Sequence, residues 1–433
     1  MAVAERFPLE PSLWFATATA APQTETLTEA LAKALSTDVL IIGAGYAGLS
    51  TALHLAELGH RPIVVEAQTI GFGGSGRNGG QLVPGLKWDP DDLIKTFGPA
   101  AGEKVVAFAG ATTRTVFDLV DKYRMDVPQA RNGWIQPAHS ETGLRLAESR
   151  VRQWSRWGAD VRMLSQQEVR DLVGTDKYLG GWLDSRGGAL QPLSYARELA
   201  RAALSLGVRI FTGTPVEEIS RGPRGWLVRT SAGPVISAKS IVVCANAYGG
   251  DLWPGLKRSI VDANTYQVAT QKLPADVIRS IFPRGHVASD TRNLLFYFRK
   301  DHTGRFIMGG RGPFREPTSH ADWAHLERAA VKMFPQLGRF EWEYRWCGRV
   351  AITRDFYPHL HEPAPDLLID IGCQGRGVGL QTSMGAAIAR YVHTRDKSQL
   401  PFPVSKIKPL PLHALRRLYV SAVVSWYRLN DGL

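Results

Sequence analysis

Cysteine is scarce in this chain, and the few copies are badly spaced for cross-linking or for holding a metal. Of 433 residues only Cys244, Cys347 and Cys373 are cysteines. No two form a CxxC pair and the number is odd, which argues against a disulfide framework and a zinc site and fits a reducing, cytoplasmic compartment. Long apolar runs are missing too: nothing approaches the ~18 residues of a spanning helix. Residues 1–37 carry Glu5, Arg6 and Glu10 ahead of "LWFATATAA", with neither a basic n-region nor an apolar h-region, so no secretory signal is expected. Clustered charge is absent as well. The formal net charge is +12, but the basic residues are scattered. Nucleic-acid binding is therefore not expected, and attraction for an anionic cofactor, an acidic substrate or a membrane surface explains the charge as well. The 11 histidines show no ligand spacing on a helix, and no metal is expected.

What the chain has is glycine. The segment "GFGGSGRNGGQLVPG", residues 71–85, holds seven glycines in fifteen positions. Such a run carries a heavy backbone-entropy cost unless something rigid fixes it. Length points to two or three folding units, and 44% apolar with 21% charged residues is ordinary for a soluble globular protein.

Upstream lies "TDVLIIGAGYAGLSTALHLAELGHRPIVVEA", residues 37–67. Val39 to Ile42 is a continuous apolar run, as a parallel strand buried on both faces requires. Leu49 to Leu58 reads as a helix ending at Gly59, and Pro62 to Val65 as a second strand closed by Glu66 and Ala67. In the turn between, Gly43 permits the sharp exit from the strand. Gly45 lets backbone approach a pyrophosphate, and Gly48 lets helix pack close to sheet, with Tyr46 and Ala47 between them. The pyrophosphate belongs at the helix N-terminus, and Glu66 is placed to accept from ribose hydroxyls. Strand, helix, second strand and terminal acid at this spacing indicate dinucleotide binding; the motif alone does not choose between FAD and NAD.

The glycine run begins a few residues beyond Glu66, inside one βαβ arrangement, and Arg77, Asn78 and Gln81 are foreign to a flexible spacer. It reads as a loop crossing the pyrophosphate and reaching a flavin ring. Gly76, Gly79 and Gly80 permit close approach, Ser75 and Arg77 meet phosphate, and Asn78 and Gln81 meet polar edges.

"DVLIIGAGYAGLSTALHLAELG" together with "IGFGGSGRNGGQLVPGLK" resembles the D-amino-acid-oxidase superfamily of flavoproteins, on its γ-glutamylputrescine-oxidase-like branch. "PSLWFATATAAP", "GGALQPLSYARELARAALSLGVRIFTGTPVEEI", "IVVCANAYGGDLWPGL", "YRWCGRVAITRDFYPHL" and "LLIDIGCQGRGVGLQTSMGAAIARYV" resemble further segments of that family. The resemblance implies an α/β (α+β overall) fold: a Rossmann-like FAD-binding domain with an interleaved, mostly antiparallel substrate domain. The expected segments are a 1–36 leader, a cofactor domain from 37–90, 187–255 and 345–395, a substrate domain from 91–186 and 256–344, and a tail helix within 396–433. It implies that backbone near Val216 touches adenine, that Ala245 lies at a closing turn, and that Gly348 flanks the flavin. Leu367 to Ile371 reads as a strand, followed by Gly375, Arg376, Gly377, Gly379 and Leu380 at the start of another helix. That N-terminus would favour negative charge on a reduced flavin by ~0.3–2 kcal/mol.

The implied activity is oxidation of an amine at the carbon beside nitrogen, by hydride transfer to flavin, giving an imine that water hydrolyses; the near alternative is an N-methyl or cyclic amino acid. Such chemistry needs positioning and a water-poor pocket more than acid–base machinery. Related oxidases activate oxygen with a lysine that "GRFIMGGRG" lacks. They attach flavin through a cysteine at the position of Gly348, so non-covalent FAD is expected. Amino-acid-oxidising relatives carry a carboxylate-binding arginine where this chain has Val350, with Arg349 one residue earlier. Trp346, Arg349, Tyr266 and Phe296 are candidate pocket walls. In the tail, the uncharged run Leu418 to Tyr427, flanked by Arg416, Arg417 and Arg428, reads either as a helix packed on its own protein or as one lying on an anionic membrane.

Overall fold

The computed structural model describes residues 12–28, 35–223, 225–231, 233 and 235–431. Residues 1–11 and 29–34 of the expected leader lie outside them, as do the last two of the tail.

Strand β1 (Ser36–Ile42) leads into helix α1 (Tyr46–Glu57) and strand β2 (Ile63–Val65). β1 pairs in parallel with Val235–Val243 on one side and β2 on the other; β2 pairs with Arg209–Phe211, and Val235–Val243 with Leu367–Ile371, again in parallel. Leu40, Ile41 and Val64 are wholly buried, the burial that unbroken apolar runs give when a parallel sheet is covered on both faces. Antiparallel strands complete this nine-stranded sheet, Gly225–Thr230 branching from Val235–Val243 and His359–Ala364 pairing with Leu367–Ile371.

The second sheet has eight strands, drawn from 134–184 and 260–353. Its pairs are antiparallel except Val287–Ser289 with Trp134–Ala138. The chain therefore passes repeatedly between a parallel and an antiparallel half.

Two stretches fall on the other side of that division from the expected segments. Strand Trp342–Thr353 pairs with Ile260–Thr270 along its length, so 345–353 is antiparallel-sheet structure that carries Gly348 and Arg349 towards the first half. Conversely, helix Pro99–Lys122 buries Val105, Val106, Ala109 and Val116 in one core with Val378 and Met384. Those apolar positions need a helical partner, which helix α2 (Gly377–Thr394) supplies. α2 also meets α1 at very short range: a Cβ on Gly385 would lie 2.6 Å from the Ala47 carbonyl oxygen.

Part of the leader is core. Ser12 Oγ caps a short helix, Leu13–Thr17, by accepting from the Phe15 N–H. The wholly buried Trp14 donates from Nε1 to the Asn78 carbonyl at 2.7 Å, and its own carbonyl accepts from Gln191 Nε2. The leader thus fastens the glycine loop from outside.

Candidate FAD site

β1 is cut off at Gly43, whose φ of +110° is closed to most side chains; a Cβ there would lie 2.9 Å from the Cys244 carbonyl oxygen. α1 begins at once, with Gly45 as its N-cap and no side chain of its own to cap it. Gly48 fixes the depth of that helix, since a Cβ would come 1.9 Å from the Gly43 carbonyl oxygen. The helix start therefore opens onto a cavity of about 340 Å³ lined by Gly43, Gly45, Tyr46 and Ala47. The far wall is built by residues from four other segments, Glu66 to Asn78, Thr214 to Val216, Cys244 to Leu252, and Gly348 to Val350. Cys373, Gly375, Gly377 and Gln381, at the start of α2, close the end. α2 too begins without a side-chain cap, so two helix N-termini, each favouring negative charge, meet one cavity.

Glu66 stands half-buried at the end of β2, and desolvation pushes its carboxyl above the ordinary range. Its oxygens accept from the Ala44 N–H at 2.8 Å and the Gln68 N–H at 3.0 Å. A carboxylate offers about four lone-pair sites, so acceptor capacity remains for hydroxyls in the cavity beside Ala67 and Val216.

The glycine loop is held by its own polar side chains. Ser75 Oγ accepts from the Tyr46 N–H at 3.0 Å, doing for α1 the capping that Gly45 cannot. Asn78 Nδ2 donates to the Gly74 and Ser75 carbonyls and to the Tyr46 hydroxyl, and its Oδ1 accepts from the Gly80 N–H. Arg77 lies over the Phe72 ring and donates from Nε to the Phe72 carbonyl at 2.8 Å. Ser75, Arg77 and Asn78 all line the cavity.

Several expected residues lie elsewhere. Gly76 packs under Leu193 and Gly71, and Gly79 against Tyr297. Gly80 abuts the Leu190 carbonyl and the Arg299 guanidinium, and Gln81 ties the loop to the second sheet by donating to the Ala288 and Phe298 carbonyls. Arg376 points away from the cavity: its guanidinium donates to the Pro84 carbonyl beside Trp134, and burial lowers it to about 10. Gly379 faces helix Pro99–Lys122, where a Cβ would meet the Thr112 carbonyl oxygen at 3.0 Å. Leu380 is core.

Of the candidate pocket walls, Arg349 alone lines the cavity. Its guanidinium pairs with Glu316, and its N–H donates to the Tyr248 hydroxyl at 3.0 Å. Trp346 sits behind the loop, donating from Nε1 to the Arg77 carbonyl at 3.1 Å. Tyr266 packs on Trp323 and donates to the Arg315 carbonyl, and Phe296 is core. A small recess containing Glu316, Asn264 and Cys347 continues from the cavity past Arg349 and Tyr248.

The sequence reading missed Phe72, Asn246, Tyr248 and Gln381. Gln381 was recoverable, because it stands one helical turn after Gly377 and so shares its face. Below it, the carboxyl oxygens of the buried Asp370 have no hydrogen-bond partner of normal geometry, and burial raises the group to about 7.

The cavity suits an FAD: glycine backbone where a Cβ would close the space, an acid at one end, and two helix N-termini along it. Comparison with known proteins agrees. Residues 38–391 match the family model described as DAO, FAD dependent oxidoreductase. The chain is 31% identical to γ-glutamylputrescine oxidoreductase of Escherichia coli strain K12 over 91% of this chain and 94% of that protein. It is 25% identical to sarcosine oxidase subunit beta of Rhodobacter capsulatus over 82% of this chain and 84% of that one. The crystal structure of glycine oxidase from Geobacillus kaustophilus superposes with a TM-score of 0.73 at 20% identity, covering 86% of this chain and 99% of the other.

Proposed function

This chain belongs to the DAO family of FAD-dependent oxidoreductases, and on that premise we propose that it oxidises the CH–NH bond of a substituted amine of the γ-glutamylputrescine kind. The product is an imine, which water hydrolyses to an aldehyde and an amine. When bound, FAD supplies the acceptor for the two electrons and the hydrogen leaving the substrate carbon.

One observation carries the choice of substrate. Arg349, the cavity-wall cation next to the expected carboxylate position, is already neutralised by Glu316, and the next residue is the apolar Val350. An α-carboxylate beside the reacting carbon would have to break that ion pair, leaving Glu316 half-buried against a second anion. An amine without such a carboxylate leaves the pair intact. Phe72 and Tyr248 line the same region, while Gly348 brings the strand flush against Arg77, where a Cβ would lie 3.0 Å from its Cβ.

We place FAD in the site non-covalently. Gly348 stands at the attachment position of related oxidases, and burial pushes the neighbouring Cys347 thiol up to about 11, far from the reactive thiolate.

The test is anaerobic mixing of the FAD-loaded protein with a panel of polyamine derivatives, N-methyl amino acids and cyclic amino acids. Bleaching of the flavin by the first group and not by the others is expected. Bleaching by N-methyl or cyclic amino acids, lost in Arg349→Met, would replace this reading with the amino-acid one.

A further inference from the structure

Helix α3 (Arg416–Asp431) is fixed to the protein by its polar residues and turns its apolar face outward. Asp431 is buried, and its carboxylate accepts from the Asn293 N–H, Asn293 Nδ2 and the Leu294 N–H at 2.8–3.0 Å. At the other end Arg416 Nε lies 3.7 Å from Asp262. Between these anchors Val420, Val424 and Tyr427 are half-buried. On the opposite side Leu418 is 69% exposed, Trp426 62% and Leu429 77%, joined by Leu415, Tyr419 and Val423. Three- and four-residue spacing makes these one stripe along the helix. Scattered exposed apolar residues are normal, whereas a continuous stripe signals a contact surface.

Charge selects what covers it. From residue 398 to residue 430 the chain has no Asp or Glu, while Lys406, Lys408, Arg416, Arg417 and Arg428 all fall there. Arg417 and Arg428 are exposed near the two ends of α3. Two copies of α3 packed face to face would bring these cations together with no free acid to meet them, since Asp431 is engaged. A bilayer carrying anionic headgroups satisfies both features: Leu and Trp side chains enter the headgroup–acyl boundary and the guanidinium groups meet phosphate. No helix among the described residues is long and apolar enough to cross a membrane, so α3 would lie along the surface. Its two anchors hold it helical beforehand, which removes the ordering cost that a free tail would meet on binding.

We propose that α3 is a preformed docking element for the surface of an anionic lipid bilayer. The test is co-sedimentation of the full FAD-loaded chain with vesicles of phosphatidylcholine alone or of phosphatidylcholine mixed with phosphatidylglycerol. Sedimentation with the mixed vesicles, weakened by salt, is expected. Trp426→Ser and Leu429→Ser should each lower the partition about tenfold, and Arg417→Glu with Arg428→Glu should abolish the preference for anionic lipid. Unchanged FAD content and melting temperature show that these exposed substitutions leave the fold intact. Absence of binding to both vesicle types would overturn the proposal, as would equal binding to both. So would a salt-insensitive dimer, dispersed by Leu418→Asp, in a protein that ignores vesicles.

Discussion

Gly45 and Gly48 are three residues apart in one motif, yet the structure gives them different neighbours, and alanine at each should fail differently. At Gly48 the added carbon would lie 1.9 Å from the Gly43 carbonyl oxygen and 3.2 Å from Ile41 Cγ2. The first is backbone and cannot rotate aside, so α1 must shift by roughly 1 Å or more from a close-packed sheet. Overpacking of this sort costs ~1–3 kcal/mol, and a backbone-to-backbone clash belongs at the upper end. At Gly45 the carbon would lie 3.0 Å from Ser75 Oγ, the end of a rotatable side chain, and otherwise face the cavity. Folding should lose less than about 1 kcal/mol there, the scale of a changed N-cap. FAD should instead lose the close approach at its phosphates, weakening binding tenfold or more, or ~1.4 kcal/mol. Calorimetric melting of the FAD-free proteins, followed by FAD titration of each, separates the two effects. Gly48→Ala should melt several degrees lower without cofactor; Gly45→Ala should melt near wild type but bind FAD poorly. A wild-type melting temperature for Gly48→Ala, or an unchanged FAD affinity for Gly45→Ala, would refute these assignments.

Acid precipitation should leave a white pellet and a yellow supernatant; a yellow pellet would show a covalent bond and direct attention to Cys373, which lines the cavity. The reacting amine must be unprotonated, so kcat/KM should climb with pH towards the amine pKa; a flat profile between pH 6 and pH 10 would count against this. Asp370 gives a stability test. Its folded value of about 7 lies above the ordinary 3.8, so the native state holds the extra proton between those values and stability falls as pH rises through that window. Asp370→Asn should therefore gain on wild type by a few kcal/mol between pH 4 and pH 7, at ~1.4 kcal/mol per pH unit, in denaturant midpoints; a pH-independent difference would remove burial as the cause.

The parallel half of the fold was legible because several independent requirements coincide in residues 37–67. The apolar run of β1, the helix from Tyr46 and the acid after β2 each restrict what the glycines between them can do. With strand and helix fixed, Gly48 has one surface to approach and Gly45 another. The leader was less legible. "LWFATATAA" carries no sign that Trp14 reaches residue 78, a contact between positions 64 apart in sequence.

Glycines outside that frame show where sequence reasoning stops. Gly379 follows Gly375 and Gly377 at the start of α2 and looks like a third cofactor contact, but the helix turns it to the Thr112 carbonyl. A missing side chain announces a close approach without saying to what. Arg376 has the same ambiguity in charged form: a loop cation beside a phosphate site reads as a ligand, yet its guanidinium crosses to the Pro84 carbonyl. The tail poses it for apolar groups, since Leu418 to Tyr427 is apolar on both sides. Only the anchors at Arg416 and Asp431 decide which side the protein covers and which it leaves for something else. In each case the residue type fixes the kind of contact, while the partner is fixed by a segment distant in sequence. That partner becomes readable only where neighbouring elements leave one choice, as they do around Gly48 and do not around Gly379.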